Sequence, residues 1–115
     1  MPVTVEELAR GFDGVLGVAA KRLDTGEELT YNADEVFPTA STFKTVLLYV
    51  LYRQADAGQI DLARRLTLRP EQRVPGSGVL QDLDPGAVLT IKDIATLMIT
   101  VSDNMATDIV YDLVG

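Results

Sequence analysis

Phe37-Pro38-Thr39-Ala40-Ser41-Thr42-Phe43-Lys44 runs directly into Thr45-Val46-Leu47-Leu48-Tyr49-Val50-Leu51-Tyr52, and the reading of this stretch decides the fold. Pro38 biases Phe37 away from helical dihedrals, so a helix has to begin after it. Phe43, Val46, Leu47, Val50 and Leu51 recur at helical spacing through to Ala57, and Gly58 ends the run. Leu48, Tyr49 and Tyr52 add apolar surface on the other faces, and a helix apolar nearly all round is expected to lie buried in the middle of its domain. Ser41 falls at or near the first turn, where unpaired backbone N–H groups create a positive potential that helps an alkoxide form. Residues three apart share a helix face, which predicts Lys44 beside the Ser41 hydroxyl. Desolvation weakens an amine's hold on its proton, and a neutral amine can act as a base. The bland alternative makes Ser41 an ordinary N-cap and Lys44 a surface residue. Against it, lysine is rarely buried without a partner, and this one sits in one of the most hydrophobic stretches of the chain.

Working outward, Thr67 to Gly86 carries Pro70, Pro75, Gly76, Gly78, Pro85 and Gly86, which predicts loop with at most a short helical turn. Gly76-Ser77-Gly78 reads as a plain flexible turn. Thr90 can cap a helix over Ile91 to Val101, with Ile94, Leu97, Met98 and Val101 on one side. Ser102-Asp103-Asn104 interrupts, and a last helix is expected from about Met105 to Leu113. On the N-terminal side, residues 4–11 read as a short helix, with Thr4 and Glu7 in a capping-box pattern and Gly11 at its end. Leu16 to Leu23 and Glu28 to Tyr31 read as a hairpin around Asp24-Thr25-Gly26-Glu27, where glycine supplies positive φ. Gly17 and Ala19 are small enough for close packing.

The chain of 115 residues suits one small domain. It has no cysteine and no histidine, which removes thiol nucleophiles, the Ser-His-Asp triad and His-ligated metals. No metal or organic cofactor is expected, since the carboxylates are scattered and no calcium-loop or phosphate-loop spacing occurs. A net charge of −7 argues against nucleic acid and against anionic membranes. The longest apolar run, Val46 to Tyr52, is too short to span a bilayer, so no membrane insertion is expected. Met1-Pro2-Val3-Thr4-Val5-Glu6-Glu7 has neither a basic segment nor an apolar stretch, so no signal peptide is read there. As written, the chain is expected to be soluble and cytoplasmic.

Ser102-Asp103-Asn104 admits two readings. All three residue types are favoured N-caps, and Asp103 can cap or can brace the loop through its carboxylate. Taken with Ser41 and Lys44, however, Ser102 can relay a proton between Lys44 and a leaving group, and the Asn104 carboxamide can hold a substrate amide.

Ser-Thr-Phe-Lys at 41–44 followed by Ser-Asp-Asn at 102–104, with the two serines 61 positions apart, resembles the first two signatures of class A β-lactamases and penicillin-binding proteins. Phe37-Pro38, Asp56-Ala57-Gly58, Asp61-Leu62, Ala106 and Asp108 are also similar to that family, so the likeness runs from about Leu16 onward. It implies an α+β fold in which an N-terminal β-hairpin (about 15–32) precedes a mostly helical lobe (about 41–115). The expectation is therefore a single partial β-lactamase-like catalytic domain over 1–115. Its C-terminal strands are missing or lie in another chain, because a lone hairpin makes a poor sheet. The implied reaction is acyl transfer to Ser41, with Lys44 handling its proton and Ser102 protonating the departing nitrogen. Asn104 binds substrate and Asp103 is structural. The partner is a small β-lactam or peptide-like molecule. The Lys-Thr-Gly strand motif and the deacylating glutamate do not occur in these residues. A DD-peptidase or esterase with the same site, and a non-hydrolysing penicillin sensor or structural module, are the alternatives. The family is commonly periplasmic or secreted.

Overall fold

The computed structural model describes residues 4–115; residues 1–3, part of the N-terminal reading above, lie outside the described residues. The chain divides into two compact units, one ending at Pro38 and one spanning Thr39–Gly115.

The first unit opens with α1 (Val5–Arg10), and its capping box forms as expected: Glu7 N donates to Thr4 Oγ1 and Thr4 N to a Glu7 carboxylate oxygen. β1 (Val18–Lys21) and β2 (Glu28–Tyr31) pair antiparallel, with Val18 opposite Tyr31 and Lys21 opposite Glu28. The turn closes through Arg22 N to Glu27 O and Gly26 N to Arg22 O, both 2.8 Å. Gly26 holds φ +74° there, as a turn glycine should. The small residue at 17 has a reason too: a Cβ on Gly17 would lie 2.4 Å from the Phe37 ring. None of the described residues of this unit is buried.

The second unit holds the core. α2 (Phe43–Asp56), α3 (Ile91–Thr100) and α4 (Asn104–Val114) pack on one another. Leu47 and Leu51 of α2 meet Ile91, Ile94, Ala95 and Met98 of α3, and Met105, Ala106, Ile109 and Val110 of α4 in one apolar cluster, which Leu68 and Leu80 complete. The start of α3 is set by a second capping box, in which Asp93 N donates to Thr90 Oγ1 and Thr90 N to the Asp93 carboxylate. Thr90 Oγ1 also donates to the Asp93 carboxylate, at 2.6 Å, and this bond first and the one from Thr90 N second hold the Asp93 carboxyl below its ordinary value.

Two expectations are corrected. α2 is not buried all round: Lys44, Leu47 and Leu51 are covered, whereas Val46 and Tyr49 are each 64% exposed and Phe43 and Tyr52 are also open. Among the described residues α3 and α4 cover one side of the helix, so the apolar pattern overstates its burial. Residues 67–86 are largely loop, with 3₁₀ turns at Pro70–Gln72 and Leu80–Asp82. The loop is flanked, however, by a second small hairpin that the pattern did not reveal, β3 (Arg65–Thr67) against β4 (Val88–Thr90). Leu68 N to Ala87 O and Gly86 N to Leu68 O extend it. Strands of three residues are too short to show an alternating signature. Among the described residues, no helix is long and apolar enough to cross a membrane.

Candidate active site

Three sequence-distant segments of the second unit meet: residues 41–44, 75–80 and 102–104. After Pro38 the chain enters a 3₁₀ turn, Ala40–Thr42, before α2 begins at Phe43. Ala40 stands at φ +44°, in the left-handed region that a Cβ disfavours, and Ser41 follows it on an exposed turn. Neither 3₁₀ turn nor helix takes a side-chain cap from Ser41, so the serine is not an ordinary N-cap. Nor is Lys44 a surface residue: only 3% of it is exposed.

Lys44 Nζ donates to Ser102 O at 2.7 Å, to Ser102 Oγ at 3.0 Å and to Asn104 Oδ1 at 3.0 Å. Ser102 Oγ in turn lies 3.0 Å from Ser41 Oγ, to which it donates. The i, i+3 spacing predicts direct neighbours, but Lys44 reaches Ser41 through Ser102. The amine instead turns to three acceptors on Ser102 and Asn104. Ser102 itself sits between α3 and α4 at φ +55°, a second residue in the left-handed region, and this one lies on the hydrogen-bond chain. An open cleft of about 320 Å³ lies over this chain, lined by Ser41, Lys44, Thr45, Met98 and Ser102.

Asp103 caps and braces at once. Its Oδ1 accepts from Ala106 N at 2.8 Å as the N-cap of α4, and its Oδ2 accepts from Val79 N at 2.6 Å and Leu80 N at 2.8 Å. The residue is 1% exposed. Its charge is therefore met by three N–H groups and a helix N-terminus, not, among the described residues, by a salt bridge.

The turn at Gly76-Ser77-Gly78 is not plain. Asn104 N donates to Ser77 O at 2.9 Å, Asn104 Nδ2 to Pro75 O at 3.3 Å and Gln81 Nε2 to Gly76 O at 2.8 Å. Gly76 and Gly78 have φ +110° and +119°. Glycine spacing pointed to a turn here, but the partner of that turn is more than twenty residues away. Among the described residues, no group of three or more His, Cys, Asp or Glu is placed to hold a metal ion.

A family model described as "Beta-lactamase enzyme family" matches residues 3–115. The crystal structure of a β-lactamase from Sphaerobacter thermophilus DSM 20745 superposes with a TM-score of 0.89 at 41% identity, over 94% of this chain and 41% of that one. The chain belongs to the class A β-lactamase family. β-Lactamase CARB-4 of Pseudomonas aeruginosa is 30% identical over 100 residues, which is 87% of this chain and 34% of that protein. A variant of PBP-A, solved as an acyl-enzyme complex with penicillin G, superposes with a TM-score of 0.80 at 39% identity, over 86% of this chain and 38% of that one. The chain thus spans about a third of the length of the curated β-lactamase it matches.

Proposed function

We propose that this chain carries the acylation machinery of a serine β-lactamase: the first two of the family's motifs, with Ser41 as the nucleophile. The observation that carries the reading is the unbroken chain from Lys44 Nζ to Ser102 Oγ to Ser41 Oγ, 3.0 Å at each step. With Lys44 neutral, its two N–H groups stay on Ser102 O and Asn104 Oδ1 and its lone pair faces the Ser102 hydroxyl. The Ser41 proton then passes to Ser102 as Ser102 passes its own to Lys44. Ser41 Oγ bonds to the lactam carbonyl carbon and the ring C–N bond breaks. The departing nitrogen takes a proton back from Ser102, which Lys44 re-supplies, so protons balance over the step. The Ser41 backbone N–H is one donor to the developing oxyanion, a contact often worth roughly 3 kcal/mol of barrier. Asn104 holds the substrate's acylamino group, and Asp103 keeps Ser102 and Asn104 in place. Hydrolysis of the acyl-enzyme also calls on the Lys-Thr-Gly strand and the water-positioning glutamate of the family, which these residues do not include. We propose that a further segment of the same fold supplies them.

One observation favours a second reading. The likeness to PBP-A, 39% identical and captured with penicillin G attached, is nearly as strong as that to the Sphaerobacter β-lactamase. A penicillin-binding peptidase or sensor would use the same chain of hydroxyls and amine. Labelling the full-length protein with a fluorescent penicillin and following a chromogenic cephalosporin separates these. Turnover supports the β-lactamase, a single stoichiometric burst the penicillin-binding protein, and Ser41→Ala should abolish labelling in either case. Labelling that survives in Ser41→Ala would remove Ser41 from the mechanism.

A further inference from the structure

We propose that the Pro75–Gly78 segment is a backbone clamp that sets the direction of the Asn104 carboxamide, with Gly76 as a positioning residue that tunes which β-lactams are accepted. The inference rests on the reading of Asn104 as the holder of the substrate's acylamino group.

Four consecutive residues touch the Asp103–Asn104 pair. Pro75 O accepts from Asn104 Nδ2 and Ser77 O from Asn104 N. A Cβ on Gly76 would stand 2.6 Å from Asn104 Nδ2, and one on Gly78 would stand 2.3 Å from the Asp103 carboxylate and 2.5 Å from Asp103 Cα. The two glycines therefore fail differently when substituted. At Gly78 the obstacle includes backbone, so the loop cannot close on α4. Both positions have positive φ, which strains any side chain placed there, but at Gly76 the steric obstacle is the end of a side chain, so the Asn104 carboxamide is what gives way.

That carboxamide has little freedom to spare. Its oxygen faces the Lys44 amine and one N–H faces Pro75 O, leaving one N–H for a ligand. Its direction is set at both ends, and the bare α-carbon of Gly76 is what lets the amide lie flat against the loop. Gln81, which donates to Gly76 O, pins the loop from its outer side. Displacing the amide leaves Lys44 with two of its three contacts, both on Ser102, so the proton relay is touched less than the grip on the acylamino carbonyl.

The test compares acylation by benzylpenicillin, which carries an acylamino group, with acylation by 6-aminopenicillanic acid, which does not, in the full-length protein. Gly76→Ala should lose about tenfold more rate on benzylpenicillin than on 6-aminopenicillanic acid, as expected for one hydrogen bond lost from the transition state. In an Asn104→Ala background the same change should no longer alter the ratio of the two rates. Equal losses on both lactams, or an undiminished effect without Asn104, overturn the clamp. Should Gly76→Ala not fold, Gln81→Glu replaces the donor with an isosteric acceptor and decides the matter by the same ratio, with a smaller shift expected. If the unaltered protein is not acylated at all, the proposed function falls. The clamp is then decided separately by the Asn104 side-chain amide resonances in a ¹⁵N spectrum, which Gly76→Ala should move and which would stay fixed if the loop does not set the amide.

Discussion

Replacing Asp103 by asparagine keeps the shape of the most heavily used carboxylate in the chain and removes one acceptor together with the charge. In the best arrangement the remaining amide oxygen takes the place of Oδ2 and keeps the bonds from Val79 N and Leu80 N. The new amino group then faces Ala106 N, donor against donor, and the α4 cap now made at 2.8 Å is lost. Losing a cap costs about 1 kcal/mol. Turning two charge-assisted bonds into neutral ones costs about 1 kcal/mol each. The sum is about 3 kcal/mol, a large fraction of the roughly 5–15 kcal/mol that holds a domain together. With a urea slope of about 2 kcal/mol per molar, the unfolding midpoint should fall by about 1.5 M. Urea denaturation followed by far-UV circular dichroism on both proteins measures it. A fall of less than about 0.25 M, equivalent to roughly 0.5 kcal/mol, would mean that the loop at 79–80 and the start of α4 do not depend on this carboxylate, and the bracing argument would be refuted.

Two further outcomes follow from the same geometry. Lys44→Met should preserve the fold, because an unbranched side chain of similar length fills the buried channel without a charge, while slowing acylation about 10²-fold or more through loss of the proton relay; stopped-flow acylation at an unchanged rate would take Lys44 out of the mechanism. Asp93, held below its ordinary value of 3.8 by the Thr90 hydrogen bonds, contributes stability that is fully present above that value and is lost as pH falls through the depressed one. Acid unfolding profiles should therefore show Asp93→Asn less stable than the unaltered protein near neutrality, with the gap narrowing below about pH 4; a gap that does not change with pH would assign the loss to packing.

What was legible in the sequence was what neighbours in the chain decide. Thr4 with Glu7, Thr90 with Asp93 and Asp103 with Ala106 each close a cap within four residues, so the starts of α1, α3 and α4 could be read from residue type and spacing. The Asp24–Glu27 turn is equally local, and β2 falls where the pattern placed it. The apolar pattern of α2 identified a helix but not how much of it is covered, because periodicity counts apolar positions and says nothing of what stands opposite them; Val46 and Tyr49 are apolar and open. β3 and β4 escaped because their pairing spans more than twenty residues and each contributes only three. The candidate site belongs to this second, non-local kind. Lys44 could be singled out as a lysine in the wrong surroundings, yet its three acceptors lie 58 and 60 positions away, and only the family resemblance joined the two motifs before the fold did. Gly76-Ser77-Gly78 reads from sequence as a plain turn, because the rule for glycine states that φ can be positive and not which side chain the missing Cβ makes room for. Each segment of the site is unremarkable on its own: a helix start, a glycine turn and a capped helix. Its chemistry arises where the Ser102 hydroxyl stands 3.0 Å from both Lys44 and Ser41, and that coincidence is fixed by α3 and α4 packing against α2 through Leu47, Leu51, Met98 and Ala106. The core residues that carry no chemistry are thus the ones that decide whether the hydroxyls and the amine meet.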